Sequence, residues 1–342
     1  MIKIAEDLPR PQQPVRGVGL ISGGLDSILA ARIMKELGVE VHGLYFAMPW
    51  GCCDKDKALS ATQKLDIPFV SLQLNEEYLE MVRKPKHGYG TALNPCVDCR
   101  AHMFTRARKY MESINAQFVF TGEVLGQRPM SQMRHSMKTI EIESGLEGRL
   151  LRPLCAQLLD PTIPEKEGLI NRNRLLTISG RSRKEQLELA QKFEIDNYLP
   201  TGGGCLLTDK NFARRMEDTL EHGYRTFRET IILKWGRHFR IAGNFKAVLG
   251  RDESENESLR RHVHPDDFIL ELPDKKGPTL ILKGYDPSYD IMATAAGIIQ
   301  RYSKYHGSTP VEVECWPVHR AGEIKRIQAK ILTEHDLETM KI

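Results

Sequence analysis

The chain has 342 residues, of which 41% are hydrophobic and 27% are charged, a composition typical of a globular protein of two or three domains. Its formal net charge of +4 excludes a strongly basic protein that coats nucleic acid, so an RNA partner would contact local patches. No apolar run approaches the roughly 20 residues that span a bilayer, and the first residues lack the apolar core of a signal peptide. We therefore expect a cytoplasmic protein without a membrane partner.

The first predicted elements are a strand over 15–21 and a helix over 27–37, joined by the glycine turn S-G-G-L-D-S at 22–27. Glycines let backbone N–H groups approach an anion without interference from a Cβ atom. The start of the helix adds the positive end of its dipole. The turn therefore predicts a pyrophosphate cradle formed by Ser22, Gly23, Gly24, Asp26 and Ser27, in which Asp26 caps the helix or binds a metal on a phosphate.

Further strands and helices alternate up to residue 121. The predicted strands cover 41–46, 69–72 and 118–121, and the predicted helices cover 55–65, 75–82 and 100–113. This alternation predicts an α/β fold with a doubly wound parallel sheet. Because ligands of such sheets bind at the carboxyl ends of the strands, we expect the turns at Ser22, Phe46 and Thr121 to converge.

The seven cysteines are expected to be metal ligands or catalytic residues, since disulfides are rare inside cells. Cys96 and Cys99 form a C-x-x-C before a helix, and Cys205 follows three glycines. Three such cysteines could bind zinc, bind an iron–sulfur cluster or carry out redox chemistry. An iron–sulfur cluster held by three thiolates would leave one iron open to bind hydrosulfide. A helix start also favours a reactive thiolate at Cys99. We assign no functional role to the other cysteines, Cys52, Cys53, Cys155 and Cys315, and expect the last two in the core.

Residues 123–210 are less regular, apart from an amphipathic helix predicted over 181–193. Arg181 and Arg183 lie at the start of this helix and are candidate anion or RNA contacts, with an ordinary cap at Ser182 as the alternative. The polar residues Gln127, Arg128 and Gln132 are suited to hydrogen-bond a base edge or phosphates if they line the pocket. The alternative is a loop with polar tips.

A change in composition near residue 222 predicts two domains, 1–222 and 223–342. After a helix over 211–220, the second domain is expected to be a smaller α+β domain with a helix over 291–304. Its predicted strands cover 231–234, 239–241, 247–249, 268–272, 279–282, 311–315 and 324–331.

The S-G-G-x-D-S turn after a first strand resembles the PP-loop of the ATP pyrophosphatase superfamily. The resemblance implies that ATP is split between its α- and β-phosphates, that Mg²⁺ binds with Asp26, and that Gly122 lies in the site. It also places the adenine beside Phe46 and Met48. No G-x-x-x-x-G-K-[ST] motif is present, which disfavours a P-loop NTPase, and Gly17-x-Gly19-x-x-Ser22 falls short of a dinucleotide fingerprint.

The motif N-P-C-x-x-C-R at 94–100, followed by A-x-F-V-x-T-G at 116–122, resembles the tRNA 2-thiouridylase family and ThiI-like enzymes over about residues 15–210. The resemblance implies that Cys99 and Cys205 are a catalytic persulfide-carrying pair. With Cys96 they would instead be metal ligands of a 4Fe–4S cluster, as in cluster-dependent tRNA thiolases. The T-G-H of the family is T-G-E here, with Glu123 in the third position, so the acceptor base is left open.

The pattern at 237–259, with Gly277-Pro278 after it, resembles the RNA-binding domain of the NFACT ribosome-quality-control factors. The resemblance implies that Arg251 and Asn256 are key polar residues for RNA binding. The alternative is a β-hairpin that serves as a dimer or lid surface, which keeps a homodimer among the expected assemblies.

Together, these patterns predict an enzyme: an ATP-dependent tRNA sulfurtransferase. It would adenylate a base carbonyl, of uridine above all, and replace the oxygen by sulfur, releasing AMP and pyrophosphate. The expected cofactors are ATP, Mg²⁺ and a 4Fe–4S cluster, and the expected partners are tRNA or another RNA and a sulfur donor, either sulfide or a persulfide carrier protein. The alternatives are a PP-loop enzyme that thiolates or amidates a small molecule, and an RNA-binding regulatory protein with a vestigial PP-loop.

Overall fold

The computed structural model describes residues 14–51, 53–199, 204–223, 226–273 and 276–342. The chain divides into two compact units, Met1–Cys205 and Leu206–Ile342. Among the described residues, no helix combines the length and apolar character required to cross a membrane.

The first unit is built on a five-stranded sheet in which every neighbouring pair of strands is parallel. Its strands are β1 (Arg16–Leu20), β2 (Glu40–Ala47), β3 (Phe69–Gln73), β4 (Phe118–Thr121) and β5 (Leu150–Leu151). Its helices are α1 (Leu25–Glu36), α2 (Lys55–Lys64), α3 (Glu76–Arg83), α4 (Cys96–Ser113), α5 (Arg134–Ser144), α6 (Ile163–Lys166) and α7 (Lys184–Lys192). The strand order β3-β2-β1-β4-β5 reverses direction at β1, which puts the topological switch point between β1 and β4.

The glycines of β1 have a packing role. A Cβ atom at Gly19 would lie 2.4 Å from the ring of Phe120, and one at Gly17 would lie 2.9 Å from the ring of Phe118. Both rings are fully buried on β4. The two glycines therefore serve the β1–β4 contact, in keeping with the absence of a dinucleotide fingerprint.

The second unit is built on an antiparallel six-stranded sheet of order β11-β10-β8-β9-β7-β6. Its strands are β6 (Arg237–Ala242), β7 (Phe245–Leu249), β8 (Phe268–Glu271), β9 (Leu280–Lys283), β10 (Glu312–Pro317) and β11 (Lys325–Gln328). Its helices are α8 (Lys210–Glu221), α9 (Glu253–Arg261), α10 (Tyr289–Arg301) and α11 (Glu334–Met340). The α10 helix packs on this sheet and supplies much of the core of the unit. The predicted fold class, a parallel α/β sheet followed by a smaller α+β domain, is confirmed.

The predicted strand at 231–234 is wrong, because these residues belong to a 3₁₀-helix, Phe227–Lys234. Phe227 and Thr230 are both buried, three residues apart as a tight helix requires, and the Thr230 hydroxyl donates to the Phe227 carbonyl at 2.6 Å. The acidic residues after Arg251 begin α9, a helix that the sequence pattern did not predict. Asp252 caps that helix by accepting from the Glu255 N–H at 2.9 Å.

The two units divide at Cys205, before the boundary expected near residue 222. The α8 helix belongs to the second unit, for an electrostatic reason. Its Asp218 carboxylate accepts from Arg240 of β6 at 2.6 Å and from Lys246 of β7 at 2.9 Å. Asp218 thus ties α8 to the antiparallel sheet.

Candidate active site

The glycine loop after β1 is held in shape by its own serines. The Ser27 hydroxyl donates to the Gly24 carbonyl at 2.8 Å and accepts from the Ser22 N–H at 3.2 Å. Gly23 has a φ of +82°, and a Cβ atom there would lie 2.7 Å from the Asp54 carbonyl oxygen. Only glycine fits this position, so the loop is preformed.

The first turn of α1 is available to an anion. Its N-cap is Gly24, and no side chain makes a capping hydrogen bond there. Because the first N–H groups of a helix have no partner within the helix, this end offers donors and a positive dipole to a phosphate.

The turn after β4 lies directly against this helix start. A Cβ atom at Gly122 would lie 2.3 Å from the carbonyl carbon of Asp26. The loops after β1 and β4 therefore meet at the switch point of the sheet, where the strand order predicts a ligand.

A cavity of about 340 Å³ opens at this point. The residues that line it include Ser22, Gly24, Asp26, Ser27, Leu44, Phe46, Cys53, Arg100, Met103, Gly122, Glu123, Gln127, Arg128, Gln132 and Arg183. The set combines an anion cradle with apolar surface from β2 and α4, as a nucleotide requires.

Five polar atoms of the lining residues are buried and have no hydrogen-bond partner within the described part of the chain. They are Asp26 Oδ1, Glu123 Oε1, Gln127 Oε1, Gln132 Oε1 and Arg183 Nε. Each such atom costs about 1–3 kcal/mol when it is left unsatisfied. Their concentration in one cavity indicates that the cavity binds a polar ligand.

The Asp26 carboxylate is oriented by two side chains of the cavity. Gln127 Nε2 donates to Asp26 Oδ2 at 3.0 Å, and Arg183 Nη2 lies 3.6 Å from Asp26 Oδ1. Arg183, a candidate RNA contact in the sequence, is thus placed beside the glycine loop, whereas Arg181 is exposed to solvent.

Glu123 anchors a buried ionic network behind the cavity. Its carboxylate accepts from Arg152 Nε at 3.1 Å and lies 3.4 Å from Arg100 Nε. Glu123 and Arg152 are 4% and 2% exposed, and Arg152 also pairs with Glu141. Burial alone would lower the pKa of Arg152, but the two carboxylates raise it above its usual value. Sequence reasoning assigned no role to Arg100, although it ends the N-P-C-x-x-C-R motif, and it missed Arg152, which stands in no recognisable motif.

A buried phenol contacts the C-x-x-C motif. The Tyr78 hydroxyl donates to Cys99 Sγ at 3.1 Å. Burial, and then the charges of Cys99, Cys205 and Cys96, raise the pKa of Tyr78 well above its usual value. Asn94 Nδ2 donates to Cys96 Sγ at 3.3 Å. The structure therefore brings together two thiols of α4 and a third from a distant loop.

These cysteines suit thiolate chemistry, but they are not arranged around a single ion. All three are half-buried. Within the part of the chain that the structure describes, no group of three His, Cys, Asp or Glu side chains is placed to hold one metal ion.

The first turn of α4 connects the thiols to the cavity. Cys99 contacts Tyr78 on one side, and the next residue, Arg100, lines the cavity and pairs with Glu123 on the other. Because Cys99 and Arg100 are consecutive residues, a displacement of the Cys99 sulfur would reach the cavity through the one peptide bond that joins them, and a displacement in the cavity would reach the sulfur in the same way.

Other predicted residues lie elsewhere. Met48 packs against Gly51 and does not line the cavity, whereas Leu44 of β2 does. Cys155 and Cys315 are buried, as expected. Cys52 and the glycines at 202–203 lie outside the described residues.

The two residues predicted to bind RNA differ in their surroundings. Arg251 is exposed and pairs with Glu255 at 3.3 Å. Asn256 is 3% exposed, and its amide accepts from the Thr279 N–H at 3.0 Å and donates to the Gly277 carbonyl at 3.4 Å. Asn256 therefore holds the Gly277–Thr279 turn in place. Arg251 lines a groove of about 230 Å³ with Arg237 and Tyr302, and the Arg237 guanidinium lies 4.7 Å from the ring centre of Tyr302.

Comparison with curated proteins finds sequence similarity to tRNA-specific 2-thiouridylases. The tRNA-specific 2-thiouridylase MnmA of Listeria monocytogenes serotype 4b is 24% identical over 222 residues, which are 60% of this chain and 56% of that protein. MnmA proteins of Clostridium botulinum are 31% identical over 120 residues, which are 30% of this chain and 33% of theirs. The chain thus spans about a third to just over half the length of these relatives.

Two solved structures are loosely similar in overall shape. One is a 4-thiouridine synthetase–RNA complex with bound ATP, with 20% identity, a TM-score of 0.40, and coverage of 64% of this chain and 52% of that chain. The other is the U34-tRNA thiolase NcsA from Methanococcus maripaludis with its [4Fe-4S] cluster, with 15% identity, a TM-score of 0.30, and coverage of 61% and 72%.

Family models match both parts of the chain. Residues 14–160 match the family described as "Thiamine biosynthesis protein (ThiI)", and residues 236–340 match the "NFACT protein RNA binding domain". The glycine loop, its cavity and these matches together identify a PP-loop ATP pyrophosphatase domain of the ThiI family followed by an NFACT-R domain.

Proposed function

We propose that this protein is an ATP-dependent sulfurtransferase that replaces a carbonyl oxygen of a uridine in tRNA by sulfur. The observation that carries the proposal is the first turn of α4, where Cys99 joins three thiols to a nucleotide-sized cavity through Arg100. An ATP site needs no thiols for phosphate chemistry alone, and their proximity supports sulfur transfer to an activated oxygen.

In the proposed reaction, the uridine carbonyl oxygen attacks the α-phosphorus of ATP and the α–β bridging bond breaks. The products are an O-adenylated base and pyrophosphate. Sulfur from the donor then attacks the activated carbon, the carbon–oxygen bond breaks, and AMP leaves with the original oxygen. Adenylation is required because an unactivated carbonyl oxygen is a poor leaving group.

The nucleotide would bind along the cavity. The N–H groups of the 22–27 loop and of the first turn of α1 would bind the phosphates, and Leu44 and Phe46 would contact the adenine. Mg²⁺ would be held by Asp26, whose Oδ1 atom has no hydrogen-bond partner among the described residues, and would neutralise pyrophosphate charge. Arg100 and Arg183 would add positive charge opposite the reacting phosphate, with Glu123 orienting Arg100.

The thiols fit either of two sulfur carriers. Cys96, Cys99 and Cys205 would hold a 4Fe–4S cluster, which when bound would supply an open iron for hydrosulfide. Without a cluster, the Cys99 thiolate would attack the outer sulfur of a persulfide donor, which leaves as its thiolate, and Cys99 would become the persulfide. The outer sulfur of Cys99 would then bond to the activated carbon as AMP leaves. Cys205 would attack the Cys99 sulfur to release the thiolated base, and an added thiol would reduce the resulting Cys99–Cys205 disulfide. In both cases Tyr78 and Asn94 donate hydrogen bonds to the sulfur atoms.

RNA would be bound through the NFACT-R domain. The groove contains the cations of Arg237 and Arg251 and the aromatic ring of Tyr302. The cations suit a phosphate, and the ring suits a stacked base. We propose that Arg251 contacts RNA directly and that Asn256 acts by shaping the turn beside the groove.

The test is anaerobic incubation of the protein with ATP, sulfide and total tRNA, with and without prior reconstitution with iron. We expect AMP, pyrophosphate and thiolated RNA in equal amounts. Asp26→Asn should abolish AMP release, whereas Asp56→Asn, an exposed first-turn aspartate of α2, should leave it unchanged. Absence of AMP with every RNA would overturn the proposal.

The same assay distinguishes the alternatives. AMP formed equally well without RNA would favour a small-molecule acceptor. Thiolation that persists in Cys99→Ala would exclude the thiols from the reaction. RNA binding without any ATP turnover would favour a regulatory protein with a vestigial PP-loop.

A further inference from the structure

Tyr78 of α3 is a fully buried tyrosine that no motif singles out. It is 1% exposed, although its hydroxyl is polar. Its ring packs at 6.4 Å from the Trp50 ring and at 5.6 Å, edge to face, from the His102 imidazole. Packing on two sides limits rotation of the ring, so the hydroxyl has a defined direction.

That direction is toward sulfur. The hydroxyl donates to Cys99 Sγ at 3.1 Å, and Cys96 and Cys205 are close enough to act on it electrostatically. Buried tyrosines usually find an oxygen partner for their hydroxyl. A buried phenol that donates to a cysteine of the C-x-x-C motif is therefore better explained by the chemistry of that thiol than by core packing alone.

The backbone supports the same arrangement from the other side. The Cys99 N–H donates to the Pro95 carbonyl at 2.8 Å, which fixes the first turn of α4. The Asp98 carboxylate, 7% exposed, accepts from the N–H groups of Lys86 and His87 at 2.8 and 3.1 Å. The helix start and the loop before it are thus rigid, and Tyr78 determines where the Cys99 sulfur lies.

We propose that Tyr78 is a positioning residue for sulfur transfer, which holds the Cys99 sulfur in one orientation through its phenol hydrogen bond. The inference rests on the proposed sulfurtransferase function and deepens it. A hydrogen bond to a sulfur atom withdraws electron density from it and fixes its orientation. Tyr78 would therefore affect the sulfur step and leave ATP binding unaffected.

The test compares Tyr78→Phe with Tyr89→Phe in the full chain. Tyr89 is a matched control, because its hydroxyl donates to the backbone carbonyls of Val82 and Arg83 and not to sulfur. For Tyr78→Phe we expect the kcat of RNA thiolation to fall about tenfold, with the KM for ATP within twofold of the parent. Tyr89→Phe should change neither constant.

A second readout follows the sulfur atoms without turnover. If iron reconstitution yields a visible-absorbing cluster, Tyr78→Phe should shift its reduction potential to a more negative value, since hydrogen bonds to the sulfurs raise it. If no cluster forms, the fraction of Cys99 that carries an added sulfur after incubation with a persulfide donor, measured by mass spectrometry, should fall by at least half.

Folding is checked through a double-mutant cycle on the free energy of unfolding. Tyr78→Phe and Cys99→Ala should be non-additive, because both remove the same contact. Unchanged thiolation kcat and unchanged sulfur loading in Tyr78→Phe would overturn the inference, and so would an equal loss of ATP binding. Failure of the proposed function has a different signature, namely that Cys99→Ala still thiolates RNA at the parental rate.

Discussion

At the scale of single residues, the charged groups behind the cavity are more informative than the exposed ones. Glu123 occupies the place where the thiouridylase motif has histidine, and two arginines surround it. A carboxylate paired in this way is suited to orient Arg100. Where the family motif has histidine, this chain has Glu123, and its carboxylate pairs with Arg152, 29 residues later in the chain. Sequence inspection did not reveal this pair.

We predict that Glu123→Gln destabilises the protein by about 3 kcal/mol, because it leaves a buried arginine facing a neutral amide. The rate of AMP formation should fall as well, since Arg100 loses its anchor. Chemical denaturation and the AMP assay measure the two effects. Glu147→Gln, in an exposed pair with Lys138, should cost less than about 1 kcal/mol. Equal effects of the two substitutions would contradict this role for Glu123.

Lys246 leads to a prediction on pH. Burial lowers the pKa of Lys246 to about 8, against the partial opposition of Asp218. Between that value and the ordinary lysine pKa near 10.4, the unfolded chain binds more protons than the folded one, so this residue makes stability rise with pH. Below pH 8, Lys246 is protonated in both the folded and the unfolded chain, so its destabilising contribution to the free energy of unfolding no longer changes with pH.

The measurement is the free energy of unfolding of the parent and of Lys246→Met from pH 7 to 10. As the pH rises above 8, the free energy of unfolding of the parent should increase relative to that of Lys246→Met by up to about 3 kcal/mol. A difference that is flat over this range would show that Lys246 titrates normally in the folded protein.

At the scale of elements, the loops after β1 and β4 operate as one structure. The backbone of Gly122 touches the start of α1, and no side chain fits between them. The sequence predicted that these turns converge because strands and helices alternate as in a parallel sheet. The contact between Gly122 and Asp26 is the place where they meet.

We predict that Gly122→Ala weakens ATP binding at least tenfold, because its Cβ atom would displace the first turn of α1. Gly307→Ala is the control, since a Cβ atom there meets nothing within 4 Å. Isothermal titration with a non-hydrolysable ATP analogue measures both. An unchanged affinity in Gly122→Ala would mean that the α1 terminus does not bind the phosphates.

Secondary structure was predictable where it depends on local pattern. The strands and helices up to residue 121 follow from alternating apolar runs and turn residues. The strand predicted at 231–234 was wrong, because a short apolar run does not distinguish a strand from a helix, and the α9 helix was not predicted. There the cap at Asp252 and the burial of Thr230 decide the structure.

At the scale of the whole molecule, a PP-loop domain and an NFACT-R domain are joined in a chain of low net charge. The positive potential for RNA must therefore be local. The groove of Arg237, Arg251 and Tyr302 is such a place, although Asp252 and Glu253 also line it.

We predict that Arg251→Ala weakens tRNA binding and reduces the slope of log affinity against log salt by about one, as loss of one phosphate contact does. Arg261→Ala, which removes an exposed arginine at the end of α9, should leave both unchanged. Filter binding at several salt concentrations provides the measurement. An unchanged slope in Arg251→Ala would place the RNA elsewhere.

The sequence by itself determined the glycine loop, the parallel order of the first domain, the two family resemblances and the identity of the three thiols. These depend on residues close together in the chain, where spacing alone restricts the geometry. Only the tertiary structure decided that Tyr78 points at Cys99, that Glu123 lies between Arg100 and Arg152, and that Arg183 faces Asp26. Tyr78 and Cys99 are 21 positions apart in the chain, and Asp26 and Arg183 are much farther apart. Only the packing of helices against the sheet brings such residues together.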